Sequence, residues 1–257
     1  MLHQAFVILL AILPGVLICL YIYRSDRVQP EKQWHLLLSF LLGAVITVPG
    51  MFFQMWFDRL AIDTTSSLWM TLAFAFIIVA LSEEILKVGA FLLYPFRQPF
   101  FDEPMDGIVY AVMIAMGFAT VENIVYAVQY GIEITLVRAL TAVPAHAVFG
   151  VFLGYYAGLG KFEIPRRKRQ RVWLGFGWAV LLHGLYDFFI LQEAYEWLIL
   201  FGTATLYISA YFAFRLIRLH RMESRQRQAR VTPVASVEVD SNTTELPPTD
   251  LTDEAGG

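Results

Sequence analysis

Seven stretches of about twenty mainly apolar residues limit what this chain can fold into more than any other feature. They are Gln4–Tyr23, Trp34–Phe57, Leu68–Phe96, Gly107–Tyr130, Leu136–Leu159, Val172–Leu191 and Trp197–Leu219. In hydrocarbon every backbone N–H and C=O must be satisfied within the protein, and a helix does this within one segment. The expected fold is therefore all-α, a polytopic membrane bundle of about seven transmembrane helices. Hydrophobic residues make up 58% of the chain and charged residues 16%, against roughly 45–50% and about 25% in soluble domains. A soluble, disordered or fibrous chain is excluded. The first stretch has no basic region before it and no clear small-x-small cleavage site, so it reads as a span and not a signal peptide. Pro14, Pro49 and Pro144 fall inside apolar stretches, where neighbouring helices must satisfy the freed carbonyls. Cys19 is the only cysteine, which rules out an internal disulfide or a cysteine-based metal site.

The basic residues give the orientation. With seven spans, 16 of the 19 Lys and Arg fall on one side, 12 of them in Lys161–Arg171 and Arg215–Arg230. Only Arg59 and Arg138 fall on the other, and Lys87 lies inside a span. The positive-inside rule puts the N-terminus outside and the C-terminus in the cytoplasm. Residues 1–222 form the membrane domain. Residues 223–257 end in SVEVDSNTTELPPTDLTDEAGG, poor in large apolar residues, and read as a disordered cytoplasmic tail. The Arg-rich stretch before it suits anionic headgroups of the bilayer and not nucleic acid.

Ionisable groups in the middle of spans are costly, roughly 2.5–3.5 kcal/mol each on insertion scales. The third span carries Glu83, Glu84 and Lys87 within one helical turn, on one face. The fourth carries Glu122 and Asn123, the fifth His146, and the sixth His183 with Asp187 four residues on. Counted from the cytoplasmic helix ends, all four levels lie roughly 16–23 Å deep, near the middle of a ~30 Å core. Two chemistries suit the group. Glu122, His146 and His183 can hold zinc, with Asp187 orienting His183 and Glu83 or Glu84 as general base. Alternatively, a metal-free carboxylate activates water, while the histidines and Asn123 stabilise the oxyanion. Both give hydrolysis. A proton or ion pathway uses the same residue types, so a coupled transporter is the competing reading. Gly150, Gly154 and Gly158 read as a close helix-packing face within the bundle.

SEEILK resembles the Glu-Glu-x-x-Lys motif of the PrsW family of intramembrane proteases, which is related to the CAAX-prenyl endopeptidases. GFATVENIVY resembles its Phe-x-x-x-Glu-Asn motif through Phe118, Glu122 and Asn123. His146 stands where the family has a histidine, and HGLYD resembles its His-x-x-x-Asp motif. The resemblance covers the third to sixth spans, in order. It implies an endopeptidase of the bacterial inner membrane with Glu83, Glu84, Glu122, His146 and His183 as catalytic residues and Lys87, Asn123 and Asp187 in support. It also implies a single-span membrane protein as substrate, such as an anti-sigma factor, admitted laterally to a cavity among spans three to six. Family members are classed as metalloproteases, while the related prenyl endopeptidases are argued to work without metal. A scaffold relative without protease activity leaves an inactive scaffold as a further alternative.

Overall fold

The computed structural model describes residues 2–26, 30–59 and 67–231, and no strand occurs among them. Residues 60–66, between the second and third expected spans, and the tail beyond 231 lie outside the described residues. The helices are α1 (Leu2–Ser25), α2 (Gln33–Asp58), α3 (Leu68–Ala73), α4 (Ser82–Leu93), α5 (Pro104–Leu140), α6 (Ala142–Lys161), α7 (Pro165–Leu191) and α8 (Ile199–Val231). A π-helical stretch, Phe74–Leu81, joins α3 to α4.

Five helical stretches are long and apolar enough to cross a membrane: Gln4–Ser25, Gln33–Phe57, Pro104–Lys161, Pro165–Leu191 and Glu196–Gln226. The 58-residue stretch holds both the fourth and the fifth expected spans. The third is divided among α3, the π-helical stretch and α4. The protein is thus a multi-pass membrane bundle. Its surface agrees, since Leu9, Val45, Phe52, Trp69, Ile77 and Leu140 are exposed while Glu83, Glu84 and Lys87 are buried. That pattern suits hydrocarbon outside and a polar interior.

Helix α5 is the central element. Glu103 caps it, Pro104 occupies its first position, and the Asp106 side chain reaches back to the Glu103 backbone N–H at 2.8 Å. This is a capping box, with proline where no donor is needed. Every residue from Pro104 to Thr120 is buried. Neighbours approach through glycines: a Cβ on Gly43 would strike the Ile114 backbone, and one on Gly117 the Phe40 backbone. Gly154 meets the Gly107 backbone and Gly158 the Pro104 carbonyl in the same way, so the expected glycine face joins α6 to α5.

The fifth span begins later than Leu136. At Gly131 the backbone leaves the helix at φ 80°, a conformation glycine adopts at little cost. Sixteen residues of straight helix would put Arg138 about 24 Å from Glu122, yet the two side chains meet at 3.0 Å. The chain therefore folds back at Gly131, and residues 132–140 return toward the bundle before α6 starts at Ala142. Pro144 consequently lies in the first turn of α6, where its missing N–H costs nothing. At the other end, α8 continues to Val231. The start of the expected tail, 223–231, is thus helical. Its Glu, Gln, Ala and Arg residues favour helix, and Ser224 is buried on it.

Candidate active site

The π-helical stretch ends two residues before Glu83, at Leu81. Inserted turns of this kind widen a helix and rotate the residues beyond them, and they recur at functional sites. The stretch also packs closely on α7, where a Cβ on Gly184 would strike the Phe76 ring. This contact places His183 beside the start of α4.

Lys87 is the hub of the polar group. Its Nζ lies 3.2 Å from Glu83 Oε2, 2.8 Å from Glu84 Oε1 and 2.9 Å from His146 Nδ1. It also sits 4.4 Å from the centre of the Phe118 ring, a cation–π contact. His146 Nδ1 accepts from the ammonium, so its Nε2–H is the donor to Glu122 Oε2 at 3.0 Å. That tautomer follows from the hydrogen-bond pattern. His183 lies between carboxylates, with Nδ1 2.9 Å from Glu84 Oε1, and Nε2 3.1 Å from Asp187 Oδ2 and 3.9 Å from Glu83 Oε2. The two imidazole rings meet edge-on with centroids 5.1 Å apart. Glu83, Glu84, Lys87, His146 and His183 are all nearly sealed from the surface. Glu122, Asp187 and Arg138 retain 14–16% side-chain exposure, so the site opens on their side.

Seven of the eight residues singled out by the sequence thus form one connected network across α4, α5, α6 and α7. Asn123 touches the network only at its edge, through Arg138: its Nδ2 donates to the Ala11 carbonyl at 3.0 Å and its Oδ1 accepts from Arg138 Nε at 3.3 Å. It fastens α1 and the folded-back segment to α5. Two residues outside the sequence-based set join the network. Gln54 of α2 donates to Glu83 Oε1 at 3.0 Å. Arg138, expected on the external side, pairs with Glu122 at 3.0 Å and stacks 3.8 Å from the centre of the Tyr126 ring. An amide on an apolar helix gives little signal. The arginine had one, a charge at the head of an apolar stretch a few residues after a glycine.

The three donors that converge are Glu83, His146 and His183, with one ligand atom from each within 4.8 Å of the others. Glu122 lies one step out, behind His146. Two imidazoles and a carboxylate are an ordinary zinc set with room for water, so the residues fit a zinc ion. Charge also fits. Glu83, Glu84, Glu122 and Asp187 carry four negative charges against Lys87 and Arg138, leaving two for a dication or for two protons on the histidines. A groove of about 530 Å³ lies away from this group, between α6, α7 and α8, lined by Phe152, Trp178, Leu182 and Phe212 among others.

A buried Glu–His network inside a multi-pass helical bundle is what an intramembrane hydrolase needs, and the comparisons with known proteins give that class, an intramembrane protease. Residues 31–217 match the family described as PrsW family intramembrane metalloprotease, and the chain belongs to that family. It is 34% identical over 223 residues to Protease PrsW of Geobacillus kaustophilus, covering 87% of this chain and 95% of the relative. Protease PrsW of Bacillus subtilis is 35% identical over 187 residues, 73% and 83% of the two chains. Protease PrsW of Clostridioides difficile is 34% identical over 203 residues, 75% and 82%. No solved structure matches the chain.

Proposed function

We propose that the protein hydrolyses a peptide bond of a single-span membrane protein at the Glu83–His146–His183 site, in a bacterial inner membrane with its C-terminus cytoplasmic. The observation that carries this is the convergence of those three donors, all buried, at the meeting of three helices. An anti-sigma factor as substrate rests on the family resemblance alone. A helical substrate hides its scissile amide, so a segment must unwind to reach the polar group.

Glu83, His146 and His183 would hold zinc, which when bound polarises a carbonyl and acidifies water. The chain's own residues supply the rest. Gln54 and Lys87 fix the two oxygens of Glu83. Asp187 and Glu84 orient His183 from both sides. Glu122 is the most exposed of the three glutamates, and both His146 and Arg138 meet its Oε2, not its Oε1. That oxygen is the best placed to take the proton of an attacking water and return it to the leaving nitrogen. Arg138 keeps the Glu122 carboxylate aimed inward.

One observation favours a metal-free variant of the same reaction. Both nitrogens of His146 are already engaged, by Lys87 and by Glu122. In that case Glu122 activates water directly, and Lys87 and His183 stabilise the oxyanion.

The test is cleavage of a single-span substrate by the full chain in lipid, together with zinc content. Under the metal reading the parent holds about one zinc per chain. His146→Ala and Glu83→Gln lose both ion and cleavage while still accumulating in the membrane. Full activity in a zinc-free preparation favours the glutamate mechanism. A parent that cleaves nothing but carries a pH-dependent ion flux, abolished in the same variants, would overturn the protease reading.

A further inference from the structure

A second buried polar group lies at the other end of α5. Asp106 is 16 residues before Glu122, about 24 Å along the helix. Asp26 follows α1, Glu31 precedes α2, and Glu103 and Asp106 open α5. One oxygen from each of Asp26, Glu103 and Asp106 lies within 4.8 Å of the others. All three side chains are buried, at 3%, 5% and 0% exposure.

The capping box engages one oxygen of Glu103 and Asp106 Oδ2. Their other oxygens, Glu103 Oε1 and Asp106 Oδ1, have no well-aligned hydrogen-bond donor among the described residues, and neither does either oxygen of Asp26, although the Glu31 backbone and the Glu103 carboxyl stand beside Asp26. The neighbouring charges that bear most on Asp26 and Glu103 are other carboxylates, Glu31 and Asp102 among them. Burial, then Glu103 and Glu31, push the Asp26 carboxyl up to about 8. Lys161 on α6 faces Asp106, but its Nζ donates to the Phe96 carbonyl. His35 faces Glu31, whose Oε2 accepts from Tyr110.

An independent group points into this cluster from α8. Ser224 is 2% exposed and stands beside the Glu103 carboxyl, and its hydroxyl forms no well-aligned hydrogen bond among the described residues. Carboxylate oxygens with a hydroxyl, and no nitrogen or sulfur, are the donor set of a hard cation.

We propose that Asp26, Glu103 and Asp106, with Ser224 alongside, form a binding site for a hard divalent cation, Ca²⁺ or Mg²⁺. The site joins the end of α1, the start of α5 and the distal part of α8. It is separate from the Glu83–His146–His183 group in place and in ligand type. The ion's role is to neutralise buried carboxylates and clamp three helices, so this proposal does not depend on the protease reading.

The test uses the full chain in detergent, treated with EDTA and freed of it, then titrated with CaCl₂ or MgCl₂. The readouts are the thermal unfolding midpoint and the heat of binding. The expected result is a saturable rise in midpoint with one ion or both, and the stronger response identifies the occupant. Asp26→Asn and Glu103→Gln should each weaken the apparent affinity at least about tenfold, since ligand charge sets affinity at such sites. Ser224→Ala, the mildest change, should weaken it less and keeps the test valid if the acidic variants fail to fold. Glu83→Gln should leave the response intact, which separates this site from the zinc ligands. No saturable response to either ion in the parent overturns the proposal. Equal affinity in parent, Asp26→Asn and Ser224→Ala does so too.

Discussion

Replacing Lys87 by methionine tests whether the polar network is a single electrostatic unit. Methionine keeps the length and apolar stem of lysine and removes the charge. In the parent the ammonium lies within 3.2 Å of two carboxylates and an imidazole, all buried. Its loss leaves Glu83 and Glu84, adjacent in sequence, facing one another without their shared cation. Breaking a buried pair by removing one partner costs about 3–5 kcal/mol, because the surviving charge stays desolvated. Total stabilities are about 5–15 kcal/mol, so Lys87→Met should remove a large fraction. Denaturation of purified protein in mixed micelles measures this. The double variant Lys87→Met/Glu84→Gln leaves one carboxylate, still held by Gln54 and near His183, and should recover a substantial part of the loss. A single-variant loss below about 1 kcal/mol, the range of an exposed pair, would refute the reasoning. So would a double variant no more stable than Lys87→Met alone.

Three further outcomes are expected. Arg138→Gln frees Glu122 and should lower cleavage of a single-span substrate by about 10–100-fold, the usual cost of losing an orienting partner; circular dichroism should show the helices intact. Gln54→Leu should lower cleavage by a similar factor through Glu83, again about 10–100-fold, and an unchanged rate would remove Gln54 from the site. Gly154→Val drives a side chain into the Gly107 backbone and should destabilise the bundle by about 1–3 kcal/mol or more in the same unfolding assay, whereas Gly177→Val, with open space around its Cβ, should cost far less.

Most of the candidate polar network was legible because membrane burial makes ionisable residues conspicuous. Glu83, Glu84 and Lys87 share one turn, His183 and Asp187 lie one turn apart, and apolar helices of known rise set the depths. Spacing could not supply rotation between helices. Whether Glu83 or Glu122 completes a set with His146 and His183 depends on how α4 is turned relative to α5, and the π-helical stretch sets that turn. An extra backbone residue per turn leaves no apolar pattern to read in Phe74–Leu81, where every residue is apolar. Asn123 shows the converse. Its adjacency to Glu122 invited a shared role, but neighbours on a helix point about 100° apart. Its amide therefore faces the α1 carbonyl at Ala11. The fold-back at Gly131 was hidden for a third reason. A single glycine before an apolar run reads as an ordinary loop, and only the reach of Arg138 shows the segment returning.

These features share one physical requirement. Four carboxylates in a hydrocarbon-embedded bundle must be fixed to about hydrogen-bonding precision, or each would cost several kcal/mol unpaired. Loose helices cannot hold them, and in lipid no difference in apolarity drives helices together. The close glycine contacts of α5 with α2 and α6 supply that rigidity through backbone packing. Helix α5 is also where the requirements meet. It carries Glu122 midway and the carboxylates Glu103 and Asp106 at its start, and it folds back at Gly131 to bring Arg138 to its own carboxylate. Any shift of α5 along its axis would misalign Glu122 with His146 and strain the Gly107–Gly154 contact together. Stability and activity in α5 variants should therefore fall in step, whereas changes confined to α3 or the lipid-facing side of α8 should separate the two.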